Sequence, residues 1–386
     1  MYYNFDEPTN RHKTNSYKWD SNEKDDLIPL WVADMDFKTA PPIIEALKKR
    51  VEQGIFGYTK VPQEYYDAVR NWFSRRHGWN FGSDEMIYTS GVVPAVSAVI
   101  KALTNPGDKV IVQTPVYNCF FSSIRNNGCE VSENELILRD GSYYIDFADL
   151  ENRASDAGAK VMLLCNPHNP SGRVWTEEEL LRIGEICEKN GVTVVSDEIH
   201  CELVYRPYKY IPYASLSDHA EKSVVCFSPS KAFNIAGLQI ANIVCRNDQM
   251  RAKIDKAINI NEVCDVNPFG VIATIEAYTK GEEWLEALVG YLYDNYQTVV
   301  DFFKRELPDI PLIKLEGTYL VWMDCRQFNI SSERLEERMI DETGVWLNAG
   351  SMYGKAGEGF MRINIACQRK RLCEGLERIK KFFSSI

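Results

Sequence analysis

No run of about eighteen or more apolar residues, the least that crosses a bilayer as a helix, occurs anywhere in this chain. Its opening, MYYNFDEPTNRHKT, lacks the charged-then-apolar pattern of a secretory leader. No C-x-x-C pair occurs, and the eleven cysteines are an odd number scattered singly, which argues against a disulfide framework and for reduced core residues. Basic charge is in short supply too. The 44 Lys and Arg against 55 Asp and Glu leave a formal net charge of -11, whose average field repels phosphate backbones and anionic membrane surfaces. A soluble, cytoplasmic protein with no nucleic-acid and no membrane partner is the expectation. The basic triplet Arg369, Lys370 and Arg371 reads as solvated helix surface. Neither G-x-x-x-x-G-K-[ST] nor G-x-G-x-x-G is present, so the phosphate loop and the dinucleotide fingerprint are both missing.

What is present is ample core material: 386 residues at 45% hydrophobic content, enough for one large domain and a smaller one. From Ile87 onward, short apolar runs alternate with helical patterns. DKVIVQTPVY is a strand stopped by Pro115; KVMLLCNPHNPSG is a strand entering a loop; VTVVSDEIH and KSVVCFSPSK are buried strands ending in polar residues. VSAVIKAL and TEEELLRIGEICEKNG carry helical spacing between them. This alternation predicts an α/β fold with a largely parallel central sheet flanked by helices. Beyond residue 285 a long helical stretch, the strands GTYLVWMDC and FMRINIAC, and a helix around 332–343 suit a smaller α+β domain. The expected division is 46–284 for the large domain, with 1–45 and 285–386 forming the small one.

The polar residues cluster where the strands end, the edge at which open α/β sheets bind ligands. Two tempting motifs fail on their partners. Ser228-x-x-Lys231 has the spacing of penicillin-recognising hydrolases, but their S-D-N and K-T-G elements are absent. In SDEIHCE, His200-x-Glu202 matches half of a zinc-deaminase signature without its P-C-x-x-C half, and alternating side chains on a strand end cannot all converge on one ion. No metal site is expected. Taken singly, an Asp closing a strand or an N-P-S-G turn is commonplace; the ordered set is not.

That set is TSGVVPAV, Tyr117 in TPVYN, Asn169 in NPHNPSG, Asp197 in VVSDEIH, Lys231 in SPSKAF and Arg362 in FMRINIAC. In this order it resembles the pyridoxal-phosphate (PLP) enzymes of the aminotransferase fold, fold type I, from end to end. KWD, WVADMDF, GYT, CNPHNPSG, SDEIHCELVY and SPSKAFNIAGLQ further resemble one subgroup, the carbon-sulfur or cystathionine β-lyases that include the maltose-system modulator and cystalysin-type enzymes.

The resemblance implies a role for each residue. Lys231 would carry the cofactor covalently and, once displaced, remove the substrate's α-proton, which requires an amine well below the ordinary 10.4 or so. Asp197 would pair with the pyridine nitrogen; Asn169, and His200 three residues after the aspartate, would meet the ring's 3'-oxygen; Tyr117 would stack on the ring. The backbone N-H groups of Gly91 and Val92, with the hydroxyls of Ser228 and Ser230, would hold the phosphate. Tyr58 would reach the phosphate of a neighbouring subunit, implying a homodimer with shared sites. Arg362 would grip the α-carboxylate as a bidentate fork, with Asn169 and the backbone at Ala33 assisting. One departure stands out: Gln239 occupies the place where many aminotransferases of this fold bring an arginine to the phosphate. The implied reaction is β-elimination of a thiol from cystathionine, cysteine or a related S-substituted cysteine, giving pyruvate and ammonia. An aminotransferase remains the alternative, and a lyase that also contacts a transcription regulator is a further one for which no residue can be named.

Overall fold

Seven short segments pair into one sheet: β1 (Met86–Thr89), β2 (Lys109–Val112), β3 (Glu130–Glu133), β4 (Ala159–Cys165), β5 (Thr193–Asp197), β6 (Ser223–Phe227) and β7 (Ala241–Val244), in the order β1-β7-β6-β5-β4-β2-β3. The computed structural model describes residues 3–24, 26–216, 219–260 and 266–386. All strands run the same way except β7, which is antiparallel to both neighbours. Successive residues of a strand face opposite sides, so Val195 joins the apolar layer on one face while Val194 joins the layer on the other. Burial on both faces explains why β4 to β7 read as near-continuous apolar runs.

The helices that position the site follow from local signals. Helix α1 (Gln63–His77) ends at Gly78, which takes the left-handed conformation at φ 67°. Helix α2 (Val92–Leu103) accepts Pro94 because a first-turn residue needs no N-H partner. It lies over the face formed by Val110, Val195 and Ile243. Helix α3 (Glu177–Lys189) starts with a capping box, Thr176 and Glu179 each bonding the other's backbone N-H. The long α4 (Glu282–Glu306), α5 (Ser332–Thr343) and α6 (Arg369–Phe383) accompany a second sheet. That sheet joins β8 (Leu320–Asp324), β9 (Asn348–Ala349) and β10 (Phe360–Asn364) in the antiparallel order β8-β10-β9. The expected domain limits at 45/46 and 284/285 both fall inside helices, Pro41–Glu52 and α4. Among the described residues, no helix is long and apolar enough to cross a membrane.

The N-terminal segment ties the two sheets together. Ile28–Pro29 pairs in parallel with Val345–Trp346, and the chain then runs as a strap, Trp31 to Phe37. Asp36 pins the strap, with its buried carboxylate 3.1 Å from the fully buried Lys18 ammonium, 3.0 Å from Arg11 and 2.9 Å from the Trp19 indole nitrogen. Arg371 adds a longer contact at 3.4 Å and lies over the Trp19 ring at 4.5 Å, while Arg369 donates to Asn295 at 2.6 Å. The basic triplet is therefore not a free solvated surface: two of its three side chains hold the N-terminal segment and α4 against α6.

Burial alone would raise the Asp36 carboxyl; Lys18, the Trp19 N-H and Arg371 overcome it and hold the group below its ordinary 3.8. Asp36→Ala should cost about 3–5 kcal/mol by leaving the buried Lys18 with only the longer ionic contact to Asp34, at 3.7 Å. Because the folded carboxyl is the more acidic, that contribution is present above about pH 4 and fades as pH falls through its folded value. Urea denaturation of both proteins across acidic pH checks the size and the sign.

Candidate active site

The polar residues predicted to act together emerge from the same edge of the large sheet. Tyr117 follows β2, Asn169 follows β4, Asp197 closes β5, Lys231 follows β6, and Val92 opens α2. With His200, and with Arg362 supplied by β10, these line one cavity of about 290 Å³. Val32 and Ala33 of the strap line it as well, and its mouth includes Tyr17, Val93 and Met352, all at least partly exposed.

Asp197 sits at the end of the central strand, in register with Cys165 on β4 and Cys226 on β6. Its flanks are thus soft and weakly polar. One carboxylate oxygen accepts from the Ile199 N-H at 3.1 Å. Burial pushes the carboxyl up to about 7, against the opposing pull of the Ile199 N-H and the Lys231 ammonium. A carboxyl held this way has no cation in contact, and a protonated ring nitrogen would be one. Burial likewise lowers the Lys231 amine to about 8, the Arg362 charge adding to the effect while Asp34 and Asp197 oppose it. The Lys231 Nζ donates to the Ala33 carbonyl at 2.6 Å. His200 is pushed down to about 3, first by burial and then by Lys231 and Arg362, so its imidazole is neutral. Its Nδ1 is buried without a hydrogen-bond partner.

Arg362 is only 3% exposed, yet its partners are neutral: the Asn169 side-chain oxygen at 3.0 Å and the Trp31 carbonyl at 2.9 Å. Its guanidinium lies 5.0 Å from the Tyr353 ring centroid, and its Nε is buried without a partner. A buried cation given only neutral acceptors is prepared for an incoming anion. The cavity therefore presents a bare carboxyl, a lowered amine, a neutral imidazole with an open nitrogen and an unneutralised guanidinium. At its rim, the first-turn N-H groups of Val92 and Val93 carry no side-chain cap. This donor set fits PLP: one carboxylate for the ring nitrogen, one amine, and helix-end donors for a phosphate.

The strap is held by side chains along its whole length. Every carbonyl from Trp31 to Phe37 accepts from at least one of Arg362, Asn364, Lys231, Asn234, Lys18 and Gln368. The segment that carries Asp197 and His200 is anchored from behind: Glu198 takes Ser196 at 2.8 Å, the Tyr213 N-H at 2.9 Å and the Tyr210 hydroxyl, while Glu202 takes Trp72, Arg76 and His77 from α1. The acidic residues of SDEIHCE thus divide between the cavity and these supporting bonds.

Four predicted residues, Gly91, Ser228, Ser230 and Tyr58, do not line the cavity. Gly91 stands just before α2 as its N-cap. The Ser228 hydroxyl gives its one proton to the Ile240 carbonyl at 2.6 Å and accepts from the Ser230 N-H at 3.1 Å, so in this structure its bonds stay within its own loop. Tyr58 is 97% exposed within a stretch that also shows Ile55 and Phe56 to solvent. Gln239, exposed and left-handed at φ 52°, lines a different cavity beside Thr89 and Ser90. Conversely, sequence reasoning missed Trp31, Tyr319 and Tyr353. Trp31 lies within a string already singled out, whereas Tyr319 and Tyr353 carry no signal beyond apolar periodicity.

With this geometry in hand, the class is plain. The chain matches the aminotransferase class I and II family over residues 25–379 and belongs to it. Within the family it is 44% identical over 386 residues to cystathionine beta-lyase PatB of Bacillus subtilis, spanning 99% of this chain and 100% of that protein. Cystalysin from Treponema denticola, whose crystal structure contains PLP, superposes with a TM-score of 0.97 at 37% identity over 100% of both chains. The PLP-bound C-S lyase from Staphylococcus hominis gives 0.91 at 36% identity over 98% of both.

The raised Asp197 carboxyl has a measurable consequence in cofactor-free protein. Its folded value, about 7 against an ordinary 3.8, makes the folded state bind the extra proton, so wild-type stability falls as pH rises between the two. Asp197→Asn removes that slope, and its advantage over wild type should be roughly 2–3 kcal/mol larger at pH 8 than at pH 5. Urea titrations at the two pH values measure it, and an equal advantage at both would place the ionised carboxylate in the empty cavity.

Proposed function

We propose that this chain is a PLP-dependent carbon-sulfur β-lyase that releases a thiol, pyruvate and ammonia from L-cystathionine, L-cysteine or a related S-substituted cysteine. The observation that carries the reading is the set of ionisable groups without ion-pair partners in one cavity, Asp197, Lys231 and Arg362, matched to the needs of that cofactor and of an α-amino acid. The similarity to a cystathionine β-lyase at 44% and to two C-S lyase structures supports it.

In this reading Asp197 keeps the ring nitrogen protonated, and the neutral His200 and the Asn169 amide meet the ring oxygen. Tyr117 covers one ring face. The N-H groups of Gly91, Val92 and Val93 receive the phosphate, with the Ser230 hydroxyl beside them. Bound there, PLP supplies the electron sink that stabilises a carbanion at the substrate's Cα. Arg362 takes the α-carboxylate, and the Ala33 carbonyl and Asn169 fix the surrounding polar contacts. Lys231, its amine already lowered to about 8 in the cavity, removes the α-proton through Nζ, after which the thiolate departs from Cβ. Arg362 is the only arginine lining the cavity among the described residues, so a dicarboxylic substrate would find no second guanidinium there. This observation favours elimination over a dicarboxylate aminotransferase. The homodimer belongs to the same proposal. Tyr58, almost wholly exposed with Ile55 and Phe56, would complete a neighbouring subunit's phosphate site.

Purified, PLP-loaded protein given L-cystathionine and no keto acid should form pyruvate over many turnovers. A single turnover that leaves the cofactor in its amine form, restored by a keto acid, would establish the aminotransferase instead. Arg362→Ala should lower kcat/KM for α-carboxylate substrates about 30-fold or more, the equivalent of roughly 2–5 kcal/mol, and should spare an analogue lacking the carboxylate. Lys231→Ala should fold and lose the cofactor mass that borohydride reduction otherwise fixes to the protein; retained mass would move the attachment point elsewhere.

A further inference from the structure

Among the strap carbonyls, that of Ala33 has an unusual donor pair. It accepts from the Lys231 Nζ at 2.6 Å and from the Tyr319 hydroxyl at 3.0 Å. The carbonyl cannot turn away, because its neighbours are fixed: Trp31 by Arg362, Val32 by Asn364, and Asp34 by Asn364 and Lys18. Tyr319 is fully buried, and its ring lies 6.1 Å from that of His200, edge to face. Of the two donors, the lysine is the one that has another task. Each time Lys231 joins the cofactor, Ala33 gives up a hydrogen bond; each time Lys231 is displaced, its amine needs an acceptor within reach.

We propose that the Ala33 carbonyl is a resting berth for Lys231, and that Tyr319 is a positioning residue that keeps this carbonyl satisfied while the lysine is attached to the cofactor. The proposal rests on the reading of Lys231 as the cofactor-bearing amine. Its physical content is an asymmetry. With Tyr319 present, the departing lysine leaves a carbonyl that still has one donor. Without the phenol, departure leaves a half-buried, cavity-lining acceptor with no protein donor, a state that carries much of the desolvation penalty of an unpaired carbonyl. Tyr319 therefore shifts the balance toward attached lysine without touching the substrate. The berth also limits how far the released amine travels, since it stays on a fixed acceptor inside the cavity in which it must next act.

A double-mutant cycle tests this. PLP dissociation constants are measured by equilibrium dialysis for wild type, Tyr319→Phe, Lys231→Ala and the double variant, with thermal midpoints recorded to confirm folding. Tyr319→Phe removes one oxygen and keeps the ring, so its packing survives. In the presence of Lys231 it should weaken PLP binding roughly 5- to 150-fold. In the Lys231→Ala background the carbonyl has the same partners with and without PLP, so the same substitution should change the constant by less than about twofold. Equal weakening in both backgrounds would make Tyr319 a merely structural support and overturn the proposal, as would no weakening in either. A separate readout guards the underlying reading: if Lys231→Ala still retains borohydride-fixed cofactor, the assignment of the attachment point fails, whatever Tyr319 does.

Discussion

The site depends on ionisable groups held inside the protein without counter-charges in contact. Asp197 at the end of the central strand and Arg362 on the small sheet are nearly inaccessible to water, and each is met by neutral groups only. Such groups cost stability, and neighbouring charged groups and backbone are bound more completely. Glu198 and Glu202 are saturated with donors, Asp36 is enclosed by Lys18, Arg11 and Arg371, and the strap carbonyls all accept from side chains. Two buried polar atoms without a hydrogen-bond partner, the His200 Nδ1 and the Arg362 Nε, stand on residues that line the cavity, where a ligand would complete them.

Much of the large domain was legible because the short apolar runs of strands buried on both faces and the spacing of the intervening helices are local signals. Lys231, Asp197, Asn169 and Tyr117 were legible for a related reason, each following an apolar run that the sheet buries. Less visible was the antiparallel β7, since Ala241 to Val244 reads the same in either direction. Helix α1 went unassigned. Its sequence, QEYYDAVRNWFSRRH, is polar enough to hide the stripe of Tyr65, Val69 and Trp72.

Within the site, what stayed hidden was direction. The serine at 228 was visible, but whether its hydroxyl faces a phosphate or the Ile240 carbonyl depends on a loop closed by β7, residues away in sequence. The strap is the extreme case. Its contribution is made by backbone carbonyls, which every residue possesses, and by partners such as Asn364 and Tyr319 that lie some three hundred positions away. A single sequence marks neither end of such a bond. The basic triplet at 369–371 failed in the same way: charge is legible, but the Trp19 ring beneath Arg371 is not.

The cavity's walls and its mouth answer to different demands. Deep residues are bound into networks that cross both sheets, so changing one disturbs several others. Tyr17 and Met352 at the mouth are 72% and 41% exposed, and they come from a turn and a short 3-10 helix far apart in sequence. Substitutions there are of the kind that usually change stability little. Descendants of this chain could therefore acquire a taste for new thiol-bearing substrates by drift at the entrance, while the chemistry behind it stayed fixed.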